Sequence, residues 1–377
     1  MEGELLLPPV WRRSGPRRIV LASTAPGLGG VWRHVEDLGL GLQRAGLEVT
    51  VGLLPGATVL QEASRRAGLP WEALSRSLGR SIDLVHVHLH DTYDRRAFAA
   101  LLARRTIGPA VITEHLPRSH ASDGRLEPQL PRNPFAARAK TVFKRLEFDL
   151  TNAVIAVGAS SARFLEERYA LAPGFVTTVY NGVAAAEASA CVRSDDGRLR
   201  VVTVGALGRQ KGHDVLLEAA RLSARDWHVT VVGSGSQLAH LRQIASHLPP
   251  GRVRFAGWVD DPRALVAAAD VVCMPSRWES FPYAALEACS LSRAVVGSRI
   301  DGLDEIIVDG ENGILVSPDC PAELAAALDR LAADPDLVAE YGRAAHARVR
   351  THFTLARMVH GINAAYARAC SQFVEGG

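Results

Sequence analysis

Short apolar runs and stretches with helical apolar spacing alternate along most of the chain. Apolar residues return every three or four positions over 27–46 and 95–105, which predicts two amphipathic helices. Strands are predicted over 17–24, 47–54, 83–90, 109–115, 153–160 and 176–182. Strands that alternate with helices indicate a parallel sheet covered by helices on both faces.

This pattern is interrupted near the middle of the chain. Residues 185–197 are mostly small or charged and have no apolar period, which predicts a linker. A second series follows, with strands predicted over 199–207, 227–235, 253–259, 271–276, 293–299 and 313–318. Its helices are predicted over 214–222, 239–248, 262–270, 280–290, 321–334, 336–353 and about 354–372. We therefore expect two doubly wound α/β domains, over 1–184 and 198–354, which bind ligands at the carboxyl ends of their strands.

Composition excludes several classes of protein. The 377 residues are 47% hydrophobic with a mean hydropathy of +0.05, which is enough for two buried cores. Since no apolar run reaches about 18 residues, a membrane span is not expected. The apolar stretch near the N-terminus is short and interrupted by prolines, unlike a signal peptide. Five scattered cysteines without a C-x-x-C pair predict a reduced cytoplasmic protein without structural zinc.

The charge distribution is uneven although the net charge is only +3. Between Arg95 and Arg145 there are eleven Arg and Lys residues and three acids. This excess predicts either a solvated helical surface, on which Lys140 and Lys144 would lie, or a face for an anionic substrate or a membrane. No familiar nucleic-acid-binding motif is present, so no nucleic-acid partner is expected.

Two glycine-rich turns could bind a phosphate. Neither completes the dinucleotide fingerprint, because Trp32 and Leu238 stand where its third glycine belongs. The turn "GLGG", which ends at Gly30, is either an ordinary tight turn or a place where backbone N–H groups approach an anion. The turn "GALGRQKGHD" carries Arg209 and Lys211, and a guanidinium beside an ammonium suits a diphosphate.

Histidines follow or occupy two of the predicted strands. His115 ends the strand over 109–115, where it is either a packing residue or a residue at the ligand edge. His86, His88 and His90 share one face of the strand over 83–90. Because no carboxylate run completes a ligand set around them, no metal site and no other cofactor are expected.

The stretch "WESFPYAALE" (278–287) carries two glutamates near a helix start. Ser280 is a plausible helix N-cap, and Pro282 suits the first turn. Glu279 then precedes the helix, and Glu287 lies about two turns into it. Eight residues span about 12 Å, more than the roughly 5–10 Å that separates a glycosidase carboxylate pair. The two glutamates are therefore expected to contact different parts of one extended ligand, with plain solvation as the alternative for either.

These motifs, taken in order, resemble the retaining glycosyltransferases of family 4. The stretch "PSRWESFPYAALEA" resembles their E-x7-E signature, and further similar motifs are "GLGGVWRHVEDL", "DLVHVH", "VITEH", "VYNGV", "VGALGRQKG", "VVGSG", "VRFAGWV" and "DGENGILVSP". The resemblance covers almost the whole chain. It implies the GT-B fold, in which two Rossmann-like domains face a central cleft and the last helix, here 355–377, returns to the first domain.

The resemblance also implies roles for particular residues. Lys211 and Arg209 would neutralise the diphosphate of the donor, and Gly30 would bring a backbone N–H towards it. Glu279 would contact hydroxyls of the donor sugar and Glu287 the ribose hydroxyls, with backbone amides around Ser280 and Phe281 between them. His115 would lie near the reacting sugar, which makes His115 and Glu279 the expected catalytic residues.

The expected activity is transfer of a sugar, with retention, from a nucleoside-diphosphate sugar to an acceptor hydroxyl. The acceptor would be a polysaccharide, a lipid-linked molecule or a secondary metabolite, and an anionic or lipid-linked one would suit the basic segment. A cytoplasmic enzyme is expected, either free or in peripheral contact with the inner membrane face. A non-catalytic nucleotide-sugar-binding protein and a GT-B epimerase are the alternatives.

Overall fold

The structure is a computed structural model that describes residues 16–78, 81–90, 93–115, 133–184 and 197–376. Its contacts divide these residues into two compact units. The first comprises the described residues up to 115, those over 133–182 and those from 355 onwards, and the second comprises those over 183–354. Almost all of the predicted linker lies outside the described residues. Within the described part of the chain, no helix is both long and apolar enough to cross a membrane.

The first unit is built on a seven-stranded parallel sheet of described residues in the order β3-β2-β1-β4-β5-β6-β7. Its strands are β1 Arg18–Ser23, β2 Glu48–Leu53, β3 Trp71–Ala73, β4 Leu84–Leu89, β5 Ala110–Glu114, β6 Ala153–Ala156 and β7 Val176–Thr178. β4 and β5 are buried along their whole length, as expected for central strands covered on both faces. The prediction of a doubly wound parallel sheet is therefore confirmed.

The helices of the first unit include one from the end of the chain. They are α1 Gly30–Arg44, α2 Thr58–Arg66, α3 Arg95–Arg104, α4 Pro134–Asp149, α5 Ala159–Tyr169 and α12 Leu355–Gly376. α1 and α12 bury their apolar faces in one core with β1 and β2. At Gly41 of α1 a Cβ would lie 2.5 Å from Cγ2 of Val359, so only glycine allows these two helices to approach so closely.

Some local predictions in the first unit were incomplete. α2, α4, α5 and β3 were not predicted, because their apolar periods are short or diluted by charged residues. The strand predicted over 153–160 ends at Ala156, and α5 begins at Ala159 after the extended residue Gly158. Small residues follow this strand, and they carry no apolar period that would mark the change from strand to helix.

The second unit has a six-stranded parallel sheet of described residues in the order β10-β9-β8-β11-β12-β13. Its strands are β8 Arg200–Val204, β9 His228–Val232, β10 Val253–Gly257, β11 Val271–Met274, β12 Ala294–Ser298 and β13 Gly313–Val316. Its helices are α6 His213–Leu222, α7 Leu238–Ala245, α8 Arg263–Ala267, α9 Tyr283–Ser290, α10 Pro321–Ala333 and α11 Pro335–His352. Since β8 and β11 are adjacent and parallel, the segments that follow them leave the sheet at the same edge.

Part of the basic segment is buried rather than solvated. Lys144 of α4 is fully buried and forms ion pairs with Glu114 of β5 and with Glu147, the latter at 2.5 Å. Arg104 is also buried, and its guanidinium donates to the carbonyl oxygen of Ile82. The prediction that Lys144 lies on the surface was therefore wrong, because the acidic partner from β5 could not be recognised from spacing along α4.

Candidate functional site

Two chain segments meet at the carboxyl edge of the second sheet. One is the turn over 205–212 after β8, which includes a short 3-10 helix, Arg209–Lys211. The other is the loop over 275–282 after β11. Gly212 has a φ of 62°, and a Cβ there would lie 1.9 Å from the carbonyl oxygen of Pro275. Glycine is therefore required both for this conformation and for the contact between the two segments.

Hydrogen bonds between main chain and side chains hold these segments in register. The backbone N–H of Arg277 donates to the carbonyl oxygen of Gln210 at 2.8 Å. The side-chain amide of Gln210 donates in return to the carbonyl oxygen of Trp278 at 3.0 Å. The guanidinium of Arg277 donates to both carboxylate oxygens of Asp214, at 3.0 and 2.7 Å. Such a forked pair fixes direction as well as distance, so the two segments form a preorganised frame.

Lys211 and Glu279 form an ion pair inside this frame. Nζ of Lys211 donates to Oε1 of Glu279 at 2.6 Å, and Oγ of Ser276 donates to the same oxygen at 2.8 Å. No described residue donates a hydrogen bond to Oε2 of Glu279. The aliphatic part of Lys211 lies over Gly205, where a Cβ would be only 3.3 Å from it. The Glu279 side chain is 6% exposed and that of Lys211 22%, so the ammonium is the more accessible group.

The segment between Glu279 and α9 differs from the prediction. Ser280 is not the N-cap, because α9 begins at Tyr283 and is preceded by Pro282 in an extended conformation. Oγ of Ser280 is buried and has no hydrogen-bond partner among the described residues. Phe281 is buried edge-on against Phe353, with ring centroids 5.2 Å apart, so its side chain is a packing anchor.

The other predicted donor-binding residues of the second unit are Glu287 and Arg209. Glu287 is partly buried in the second turn of α9. Arg209 is exposed, and its carbonyl oxygen accepts a hydrogen bond from the guanidinium of Arg277 at 2.6 Å. His213 follows the turn, where burial and then the charge of Lys211 lower its pKa to about 4, so it is neutral near pH 7. Gln210 and Arg277 were not predicted, since their partners Trp278 and Asp214 lie 68 and 63 residues away along the chain. Ser276 was also not predicted, although its partner Glu279 is only three residues away.

Gly30 and His115 lie at the carboxyl edge of the first sheet. Gly30 is the exposed first residue of α1, and His34 lies one turn further along that helix. His115 follows β5 and is buried against His34, with ring centroids 4.6 Å apart. His86 and His88 lie side by side on β4, as strand alternation predicted, with ring centroids 4.0 Å apart. The structure adds His34 and His115 to this pair.

Comparison with known proteins agrees with the division into two α/β units. The family model described as "Glycosyltransferase Family 4" matches residues 28–187, and the one described as "Glycosyl transferases group 1" matches residues 198–334. A glycogen synthase of Mycobacterium tuberculosis is 29% identical over 317 residues, which cover 81% of this chain and 74% of that protein. A D-inositol 3-phosphate glycosyltransferase of an Arthrobacter species is 34% identical over 190 residues, 46% of this chain and 44% of that protein.

Solved structures share the same architecture. Anabaena Alr3699/HepE in complex with UDP superposes with a TM-score of 0.77 at 18% identity, covering 93% of this chain and 99% of that one. A glycosyltransferase from Rickettsia africae gives a TM-score of 0.75 at 18% identity, covering 96% of this chain and 100% of that one. At this level of identity the likeness establishes the fold.

Two parallel-sheet Rossmann-like units and these neighbours define an enzyme of the GT-B glycosyltransferase class. Because the two family models together match most of residues 28–334, the chain belongs to glycosyltransferase family 4. The predictions of the family, the fold and an enzymatic activity are confirmed.

Proposed function

We propose that the second unit binds a nucleoside-diphosphate sugar and that the enzyme transfers the sugar, with retention, to an acceptor hydroxyl. The observation that carries this proposal is the state of the Glu279 carboxylate. Two donors hold its Oε1, whereas Oε2 receives no hydrogen bond from any described residue. Oε2 is therefore open to accept a hydrogen bond, and a sugar hydroxyl would supply it.

The same frame supplies positive charge for a diphosphate. The ammonium of Lys211 carries three hydrogens, of which one bonds Glu279, so two remain to bind phosphate oxygens. Arg209, two residues earlier, is exposed and adds a second cation. Both charges would stabilise the departing nucleoside diphosphate as its bond to the anomeric carbon breaks. The buried hydroxyl of Ser280 offers another hydrogen bond next to the sugar contact.

The proposed reaction exchanges one bond for another at the anomeric carbon. The bond to the diphosphate oxygen breaks, the bond to the acceptor oxygen forms on the same face, and the acceptor proton leaves with the diphosphate. Cationic side chains do the work of a metal ion in this scheme, so turnover is expected to persist in excess chelator. His115 and Gly30 belong to the first unit, and their roles towards the donor remain predictions.

Glu287 provides the test of donor binding, because we assign its carboxylate to the ribose hydroxyls. Glu287→Ala is expected to weaken nucleoside-diphosphate binding by about 10- to 100-fold, since hydrogen bonds to a charged group contribute roughly 1.5–3 kcal/mol. Isothermal titration calorimetry with UDP, GDP and ADP measures this. Glu311→Ala, an exposed glutamate of the same unit, is the matched control. Unchanged affinity in the Glu287 variant would remove the assignment.

Product analysis separates transfer from the alternatives. A transferase releases nucleoside diphosphate only when an acceptor hydroxyl is supplied. A GT-B epimerase would instead yield an epimeric sugar without any acceptor. Tight donor binding with neither product would indicate a non-catalytic binding protein.

A membrane-bound acceptor is supported by one exposed helical face. Phe135, Val142 and Leu146 of α4 are 82%, 50% and 49% exposed, and they lie at spacings of seven and four residues. Arg138 and Arg145 are exposed on the same helix. Apolar side chains flanked by arginines suit the surface of an anionic membrane. We propose that this face of α4 places the enzyme beside a lipid-linked acceptor.

Vesicle binding tests this placement. Replacing Phe135, Val142 and Leu146 together by serine is expected to weaken binding to phosphatidylglycerol-rich vesicles at least tenfold, because apolar insertion is lost. Val374→Ser, which changes a 79% exposed apolar residue of α12, should have no such effect. Co-sedimentation at two salt concentrations separates the apolar contribution to vesicle binding from the electrostatic contribution of the arginines. Equal binding of the two variants would contradict the proposal.

A further inference from the structure

Four histidine rings form a buried cluster in the first unit. They are His34 of α1, His86 and His88 of β4, and His115 after β5. The ring centroids of His86 and His88 are 4.0 Å apart, and those of His34 and His88 are 5.2 Å apart. Burial lowers the pKa of His34 to about 4. Burial also lowers the pKa values of His86, His88 and His115 well below their usual value, so all four imidazoles are neutral near pH 7 and each carries one nitrogen lone pair.

Hydrogen bonds distinguish His86 from the others. Its Nδ1 is 2.7 Å from the hydroxyl of Tyr366, and its Nε2 is 2.6 Å from Oγ1 of Thr113. Both ring nitrogens are thus occupied, and His86 is a packing residue that anchors α12 to the sheet.

The tautomer of His34 is fixed by its neighbour. Nδ1 of His34 lies 2.9 Å from Oδ1 of Asn181, and because an amide oxygen only accepts, this nitrogen carries the proton. Nε2 then carries the lone pair, and it is buried without a hydrogen-bond partner among the described residues. A histidine whose far nitrogen is oriented by such a partner is the usual arrangement around a bound metal.

The nitrogens of His88 and His115 complete a converging set. Nδ1 of His88 is 3.2 Å from Nε2 of His115. One nitrogen each of His34, His88 and His115 can be chosen so that all lie within 4.8 Å of one another. Zinc bound to imidazole at about 2.0–2.1 Å in a tetrahedron places its ligand nitrogens roughly 3.3 Å apart. The nitrogens of His88 and His115 already have this separation. The distances from them to the His34 nitrogen would have to shorten by about 1.5 Å at most.

Among the described residues, no carboxylate completes the set. Glu114 precedes His115 along the chain but is paired with the buried Lys144. Three neutral imidazoles without an acid favour zinc, copper or nickel over magnesium or calcium, which prefer oxygen ligands. Three protein ligands also leave a fourth position for water or a small molecule.

We propose that His34, His88 and His115 bind one divalent transition ion, with Zn²⁺ as the best match, and that Asn181 orients His34 for this purpose. The ion would satisfy the buried lone pair that His34 now leaves without a partner. It would also occupy His115, and resting on the proposed function, Zn²⁺ would then inhibit sugar transfer rather than assist it.

Metal binding is measured on the full chain after removal of metal with a chelator, without nucleotide sugar. Titration with a zinc salt is expected to show one tight site that magnesium does not compete for. Cobalt at the same site should give the visible absorption of a tetrahedral nitrogen complex. His34→Gln is expected to abolish this absorption and to weaken zinc binding more than 100-fold. His247→Gln, which changes an exposed histidine, should leave both unchanged.

A second variant guards against misfolding of the first. Asn181→Ala removes the orienting partner of His34, keeps all three imidazoles and is expected to weaken zinc binding about 10- to 100-fold. Zinc should inhibit transfer by the parent enzyme at lower concentration than by the His34 variant. Absence of a tetrahedral cobalt spectrum, or a zinc affinity indifferent to His34→Gln and Asn181→Ala, would overturn the proposal. Since binding is read without donor or acceptor, this outcome is independent of whether the proposed sugar transfer is correct.

Discussion

Lys211→Ala is expected to lower kcat/KM for sugar transfer by about 100- to 1,000-fold, the effect typical of removing one group that stabilises developing charge. The ammonium sits 2.6 Å from Glu279 and is the more exposed partner of the pair. Its removal takes away a countercharge for the diphosphate and leaves the nearly buried Glu279 without its ion-pair partner. Steady-state kinetics and calorimetric titration with nucleoside diphosphate measure the two consequences.

Two comparisons separate this effect from general damage. Lys140→Ala changes a partly buried lysine of the first unit, whose Nζ lies 4.6 Å from the ring centroid of Tyr93, and should leave transfer nearly unchanged. Glu279→Gln is expected to reduce transfer as well. Because the two side chains contact each other, the double variant should lose less activity than the single effects added together. A Lys211 variant with the donor affinity and kcat/KM of the parent would refute its role.

Lys144→Met should destabilise the first unit by about 3–5 kcal/mol, the usual cost of breaking a buried ion pair by removing one partner. Lys144 lies between Glu114 and Glu147, and all three side chains are almost completely buried. The substitution leaves two carboxylates close together without a cation. In a unit of this size the loss corresponds to a fall of roughly 10 °C in Tm, measurable by differential scanning calorimetry.

Two further variants test whether the loss of stability comes from the unpaired carboxylates. Lys140→Met, four residues earlier on α4, should change Tm little because that lysine is partly exposed. Adding Glu114→Gln and Glu147→Gln to Lys144→Met should recover most of the loss, since neutral amides are cheaper to bury than unpaired carboxylates. A Tm equal to that of the parent in the single variant would contradict the assigned cost.

The same cluster contributes a dependence on pH. Burial, only partly opposed by the charge of Lys144, raises the pKa of Glu147 from 4.5 to about 7. A carboxyl whose pKa is higher in the folded state stabilises folding fully below its unfolded pKa and loses that contribution as pH rises through about 7. Glu147→Gln should therefore flatten the fall of Tm between about pH 4.5 and 7 relative to the parent.

The strands and helices of the second unit could be predicted well from the sequence. Its strands are short apolar runs bounded by glycine or proline, and the helices between them have clear apolar periods, so local pattern is sufficient. The helix that carries Glu287 was predicted to begin near Ser280 but begins at Tyr283. The extended conformation of Pro282, which decides this start, has no periodic signal.

Residue types also identified the two turns that form the frame. Arg209 and Lys211 were predicted because cations in a glycine-bounded turn suit a diphosphate. The role of Glu279 towards a donor sugar was implied by the resemblance to family 4. The pairing of Lys211 with Glu279 could not be predicted. These residues lie 68 positions apart, and only the adjacency of β8 and β11 brings them together.

By itself, the sequence determined the alternation of strands and helices, the family and the turns that carry charge, because these depend on neighbours along the chain. The tertiary structure decided that Lys144 is buried and that His34 and His115 join the histidines of β4. Sheet order and helix packing bring together residues that are tens of positions apart. Burial and partner choice are set by those long-range contacts, and no local pattern encodes them.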